Sequence, residues 1–210
     1  MFNLIDICPD LNHTLLTLIP KVKCPKRVSD FCLIALCKIL YKLVSKVLAN
    51  RLKQILPNII SDTQSVFQFD KAISDNILVA FKFLHHMKTK KAGKSGFMAL
   101  KLDMSKTYDR VEWVFFIKIM EKMGFHSRWI QLITKCISTI SYSILVNEEA
   151  KGNIKPSRGV RQGDPLSPYL FLIVSKGLTS LIHQATHVGR IWGFSLCKNG
   201  LKITQLFFCK

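Results

Sequence analysis

The sequence predicts an α+β fold, and three observations carry that prediction. Apolar residues recur at helical spacing in several long stretches, short apolar runs with strand character lie between them, and two tight-turn signals mark hairpins. A hydrophobic share of 49% across 210 residues is enough to fill a core. The chain carries no internal repeat and no long Pro/Ser linker, and its pattern divides it into residues 1–96 and 97–210.

In residues 34–56 apolar side chains recur at 36, 40, 43 and 47 and again at 44, 48, 52 and 55, while Lys38, Lys42, Lys46, Arg51 and Lys53 take the other faces. This spacing predicts an amphipathic helix stopped by Pro57. A second helix is expected from Ser74, whose hydroxyl can cap free N–H groups, with Ile77, Phe81 and Leu84 on one side. It gives way to a basic loop around Lys90, Lys91 and Lys94. Phe97-Met98-Ala99-Leu100-Lys101-Leu102-Asp103 reads as a buried strand with Asp103 at its exposed end. Residues 112–123 then read as a helix with Trp113, Phe116, Ile117 and Met120 inward and Gly124 as its stop. A further helix covers residues 127–138. The strand 141–146 turns through Asn147, Glu148 and Glu149 and returns towards Ile154. Residues 165–183 are a largely apolar helix in which Pro165 and Pro168 fit the first turn. Asn199-Gly200 supplies the positive φ angles of a tight hairpin between 191–196 and 201–208.

Lys and Arg number 31 against 13 Asp and Glu, a net charge of +18 that favours a polyanionic partner, nucleic acid first. A solvated basic surface without a specific ligand is the alternative. The seven Cys are an odd, scattered set without a Cys-x-x-Cys pair, so neither a zinc site nor a disulfide framework is expected. Reduced thiols point to an intracellular protein, nuclear or cytoplasmic. No secretory leader opens the chain, and Lys interrupts every apolar run before the ~20 residues of a membrane span, so a secreted or membrane-bound protein is not expected.

Asp103 ends an apolar run and Tyr108 follows it in the same segment. Phosphoryl transfer by two metals needs carboxylates converging on cations ~3.5–4 Å apart, and Asp103 can be one of them. Taken alone, Leu-Asp at a strand end is weak evidence, and an Asp that caps the following turn is the commoner explanation. In residues 155–171, Gly159 and Gly163 let backbone approach a ligand closely, Arg158 and Arg161 offer phosphate-matching forks, and the helix that follows presents free N–H groups. Such a loop suits a nucleotide or a template strand. The lysine stripe of residues 34–56 can track an RNA backbone or simply be solvated. His183 and His187 lack a third ligand nearby, and Gly93-Lys94-Ser95 lacks the first Gly of a phosphate loop.

Several blocks in order resemble the reverse transcriptase of non-LTR (LINE-type) retrotransposons, in particular the plant branch. They are Leu11-Asn12-His13-Thr14 with Leu18-Ile19-Pro20-Lys21; Leu36-Cys37-Lys38-Ile39-Leu40-Tyr41-Lys42 on to Leu48-Ala49-Asn50-Arg51-Leu52; Gln64-Ser65 with Ile73-Ser74-Asp75-Asn76-Ile77; residues 102–113; and residues 158–171. The resemblance implies a fragment of a right-hand polymerase: fingers in 1–96, a partial palm in 97–210 whose antiparallel sheet packs on helices, and no thumb. It implies that Asp103 binds catalytic Mg²⁺ or Mn²⁺ with the Met104 carbonyl beside it. Tyr108 would be a steric gate against a ribose 2′-hydroxyl, and Arg161, Gln162 and Gly163 would help place the deoxynucleoside triphosphate and template. Lys38, Lys42, Lys46, Arg51 and Arg158 would contact nucleic acid. The implied partners are an RNA template and a DNA primer; oligomeric state stays open.

The chain also departs from that pattern. Cys32-Leu33-Ile34 stands where the family reads Arg-Pro-Ile, Phe69-Asp70-Lys71-Ala72 where it reads Pro-Gly-Arg before the Ile-Ser-Asp-Asn block, and Thr107 replaces a usual Ala. Where the family continues into Ala-Asp-Asp, Phe207-Phe208 is followed by Cys209-Lys210, and no acid lies beyond Asp164. One carboxylate cannot hold two metals. The expectation is therefore a reverse transcriptase fragment truncated before that motif, without appreciable polymerase activity. A non-catalytic binder of RNA or RNA–DNA hybrid and an inert relic are the other readings.

Overall fold

The computed structural model describes residues 9–59, 73–89, 98–102, 106–195 and 202–206. Within them lie strands β1 (His13–Pro20) and β2 (Phe31–Cys37), helices α1 (Ile39–Ile59), α2 (Ile73–Thr89), α3 (Trp113–Lys122) and α4 (Ser127–Ser138), strands β3 (Ser141–Val146) and β4 (Glu149–Ile154), and helix α5 (Ser167–His187). The chain divides into two compact units, one of Met1–Ile55 with Lys106–Val174 and one of Leu56–Ser105 with Ser175–Lys210.

The first unit contains a four-stranded sheet in the order β2-β1-β3-β4. β1 pairs antiparallel with β2, Thr14 opposite Cys37, and parallel with β3, His13 opposite Ser141. The sheet is thus mixed rather than the purely antiparallel one expected. A parallel pair needs a long crossover, and everything between Pro20 and Ser141 serves as one. β3 and β4 form the expected hairpin, Val146 opposite Glu149. Asn147 (φ 49°) and Glu148 (φ 67°) are its two left-handed loop residues, the backbone of a type I′ turn.

Local signals account for α3 and α4. In α3, Phe116 and Met120 are buried one turn apart. The helix ends where Gly124 takes φ +78°; its N–H donates to Glu121 O at 3.0 Å, and the Phe125 N–H donates to Met120 O at 3.1 Å. That pair of bonds is a Schellman stop and satisfies two carbonyls the helix leaves open. In α4, Ile130, Ile133, Cys136 and Ile137 are buried, and the His126 Nδ1 caps the start by accepting from the Arg128 N–H at 3.2 Å. With Val160, Leu166, Leu170 and Ile173 they form the core of this unit. Each such side chain, fully buried, contributes about 1.5–3 kcal/mol.

Three expectations need correction. The helix expected over residues 34–56 begins at Ile39, because Phe31–Cys37 is rich in strand-favouring residues and finds a ladder partner in β1. This sets the helix phase so that Tyr41, Ser45, Leu48 and Leu52 face inward, while Leu40, Leu43 and Val47 of the expected apolar stripe are exposed. Pro57 lies inside the helix, near enough to its end that the missing N–H disturbs only the last turn. The expected buried strand at 97–103 is not seen in its described part: residues 98–102 have no ladder, and Met98, Leu100 and Leu102 are 84%, 70% and 70% exposed. A strand exists only as part of a ladder, and among the described residues none runs beside this one.

In the second unit α2 forms as expected, but Ile77, Phe81 and Leu84 lie exposed and Asn76 is buried instead. The Phe83 and Phe194 rings meet edge to face at 5.3 Å. Of the hairpin expected near the end, Phe194 and Ile203 pair antiparallel through two 2.9 Å backbone bonds, and the Asn199-Gly200 turn lies outside the described residues.

Candidate functional site

Two segments far apart in sequence, 106–113 and 158–171, are joined edge to edge in the first unit. The Gly159 N–H donates to Val111 O at 2.7 Å, and the Val160 N–H donates to Tyr108 O at 2.8 Å. The Trp113 indole N–H closes the junction on the Gly159 carbonyl at 2.7 Å. Gly159 has φ +90°, and a Cβ there would stand 3.1 Å from Asp109 O, 3.2 Å from Asp109 Cα and 3.2 Å from Tyr108 O. The close approach therefore requires glycine on both counts. Arg158 and Glu112, both exposed, pair at 3.2 Å across the same junction. The half-buried Tyr108 ring packs at 5.6 Å from Phe171 on the first turns of α5.

Beyond the junction the loop alternates sharply in exposure. Arg161 and Asp164 are buried, 2% and 5% exposed, whereas Gln162 and Gly163 between them are exposed. The Arg161 Nη2 donates to Asn12 O at 3.0 Å and to Asn12 Oδ1, and its guanidinium lies 4.5 Å over the Tyr41 ring. Asp164 accepts from the Tyr41 hydroxyl at 2.9 Å, from the Ser45 hydroxyl and from the Leu166 N–H at 2.9 Å, the last an Asx turn that starts α5. Burial, with the Asp164 charge adding to it, pushes the Tyr41 phenol well above its ordinary pKa and the Cys136 thiol up to about 12. Both stay protonated at neutral pH, so Tyr41 remains a hydrogen-bond donor to Asp164.

Of the residues expected to carry function, Asp103 and Met104 lie outside the described residues. The Tyr108 carbonyl accepts from the Val160 N–H, which brings Tyr108 beside the start of the Arg161, Gln162 and Gly163 stretch. Arg158 is exposed beside Glu112, and Lys38, Lys42, Lys46 and Arg51 are exposed along α1 and the residue before it. Sequence reasoning missed Asn12, Tyr41 and Ser45. Their one advance signal is polar or aromatic residues in otherwise apolar elements, too common to single out.

The family described as "Reverse transcriptase (RNA-dependent DNA polymerase)" matches this chain over residues 19–203. The chain belongs to that family. An uncharacterized mitochondrial protein of Arabidopsis thaliana is 42% identical over 64 residues, 30% of this chain and 52% of that protein. The uncharacterized 149 kDa protein of transposon TX1 from Xenopus laevis is 26% identical over 82% of this chain and 13% of its own length. The Pol polyprotein of the type-2 retrotransposable element R2DM of Drosophila melanogaster is 28% identical over 83% of this chain and 16% of its own length. The chain thus spans about half or less of each of these relatives.

The family uses Mg²⁺ or Mn²⁺. Among the described residues no three His, Cys, Asp or Glu side chains converge on a cation site, and Asp164 is already engaged by three donors. No described helix is long and apolar enough to cross a membrane.

Proposed function

We propose that this chain is the fingers and partial palm of a reverse transcriptase from a plant non-LTR retrotransposon, and that these 210 residues bind RNA or RNA–DNA hybrid without extending a primer. The observation that carries this reading is the junction of the Tyr108 and Gly159 segments. It brings an aromatic side chain and an exposed Gln162-Gly163 turn onto one backbone framework, as placing a nucleotide against a template requires. Tyr108 acts as the gate against a 2′-hydroxyl, Gln162 and Gly163 face nucleotide and template, and Lys38, Lys42, Lys46, Arg51 and Arg158 follow the phosphate backbone. The similarity to the Arabidopsis protein supports the plant origin.

Primer extension on an RNA template with Mg²⁺ or Mn²⁺, beside salt-dependent hybrid binding, tests the reading. The expected result is binding without synthesis, with log affinity falling linearly against log salt. Replacing Lys42 and Lys46 by Ala should flatten that slope by roughly 0.7–0.9 for each phosphate that is no longer neutralised. Synthesis that Asp103→Ala abolishes would overturn the inactivity, and absence of binding at low salt would overturn the function.

A further inference from the structure

The Gln162-Gly163 turn is tethered on both sides from beneath. Arg161 precedes it and Asp164 follows it, and both side chains run inward to partners that come from the first 45 residues of the chain. Asn12 is fully buried and uses both ends of its amide. Its Nδ2 donates to Cys136 O at 2.9 Å and to Thr139 Oγ1 at 2.8 Å, which fixes the Oδ1 that receives Arg161. Tyr41 serves both tethers at once, its ring beneath the guanidinium and its hydroxyl on Asp164. Ser45 donates to Asp164 and accepts from the Leu166 N–H at 3.1 Å, so the start of α5 is held by the same hydroxyl.

Arg161 is only 2% exposed and its Nη2 is committed to Asn12, so its guanidinium is not presented to a ligand phosphate. We propose that Arg161 is a positioning residue, and that Asn12, through Arg161, sets the conformation in which Gln162 and Gly163 meet nucleotide and template. Asn12 is thereby assigned a role in ligand placement although it lies about 150 residues before the turn. This rests on the function proposed above. The Arg161 Nε and Nη1 have no hydrogen-bond partner among the described residues, so the Asn12 bonds to Nη2 and the Tyr41 ring are what fix the guanidinium, while nothing lies within 4 Å of a Cβ placed at Gly163 in the exposed turn.

The test compares Asn12→Ala, Arg161→Met and the double variant in the 210-residue chain, reading amide hydrogen exchange over residues 158–166 and the salt dependence of binding to an RNA–DNA hybrid. Asn12→Ala is expected to speed exchange in that segment by about tenfold and weaken hybrid binding by about tenfold, with far-ultraviolet circular dichroism unchanged. The double variant should lose no more than the worse single one, because both remove the same tether. The salt slope should stay at the wild-type value, since every phosphate remains neutralised as before; a phosphate-binding Arg161 would lower it by about 0.7–0.9 on replacement. If Asn12→Ala does not fold, Thr139→Val removes one of the two acceptors of Asn12 Nδ2 and should give a two- to threefold effect of the same kind. Unchanged exchange over 158–166, additive losses, or a reduced slope for Arg161→Met overturns the inference. Wild-type chain that fails to bind hybrid overturns the proposed function, and the exchange measurement still decides the tether.

Discussion

Gly159→Ala is the most direct probe of the junction between the two motif segments. An L-residue in the left-handed region costs about 1–2 kcal/mol, which φ +90° makes applicable here. The new Cβ would also meet three backbone atoms of residues 108 and 109 at 3.1–3.2 Å, and backbone cannot swing aside as a side-chain tip can. Relief requires the two segments to part by a few tenths of an ångström. That lengthens the Gly159–Val111 and Val160–Tyr108 bonds of 2.7 and 2.8 Å, each worth about 0.5–1.5 kcal/mol net. Lengthened rather than broken, the two bonds give up about 1–2 kcal/mol together, so the total is about 2–4 kcal/mol, or roughly 5–15 °C in Tm for a chain of this length.

Gly124→Ala is the control. Its φ is +78°, yet nothing lies within 4 Å of the added Cβ, so only the conformational cost of about 1–2 kcal/mol applies. Urea unfolding of the two variants, followed by circular dichroism, separates conformation from contact. Gly159→Ala should lose more than Gly124→Ala by about 1–2 kcal/mol and weaken hybrid binding, while Gly124→Ala should bind as wild type does. Equal losses at the two positions would refute the close approach as the reason for Gly159.

Asp164→Asn keeps the shape but turns an amide N–H₂ towards hydroxyl and amide donors, and should cost about 2–3 kcal/mol in urea unfolding; a loss under about 0.5 kcal/mol would contradict the three bonds assigned to the carboxylate. Cys136 ionises near the ordinary thiol value of 9.0 when unfolded and only near about 12 when folded, so between those values the folded state retains a proton that the unfolded state gives up. Its contribution to stability therefore falls as pH rises from about 9 to 12, by up to about 4 kcal/mol, and Cys136→Ala should flatten the alkaline limb; parallel stability curves for the two proteins would exclude it.

How much of the fold is legible in the sequence follows from how local each signal is. Helices α3 and α4 match their predicted spans almost residue for residue, because Gly124, the apolar spacing and the chain's own turns specify them within a dozen residues. The β3–β4 hairpin is equally readable, since Asn147 sits at a two-residue loop. By contrast β1 has no turn of its own that announces pairing with β3, more than a hundred residues later, and the apolar period of α1 runs on through β2 and hides it. The site shows the same division. Gly159 is legible as a close-approach glycine, but whether an arginine in such a loop points out to a phosphate or in to Asn12 depends on a partner that no spacing reveals.

The inward Arg161 and Asp164 also say what this loop is shaped for. Buried charges are poor sources of stability, because desolvation offsets most of what their hydrogen bonds return. Replacing both together, Arg161→Met with Asp164→Leu, should leave stability within about 3 kcal/mol of wild type: neither charge is then stranded and the Leu166 N–H still has Ser45 Oγ at 3.1 Å, while the buried Asn12 carbonyl and Oδ1 lose their Arg161 donor. The turn between them should nonetheless lose its orientation, with faster exchange over residues 158–166 and weaker hybrid binding. Apolar contacts can fill the same volume, but they do not prescribe one direction for the chain that leaves them. A double variant that is stable and also keeps the turn ordered would mean that packing around Val160 and Leu166 alone sets the turn. One that is markedly unstable would mean that the network contributes more to folding than buried charges usually do.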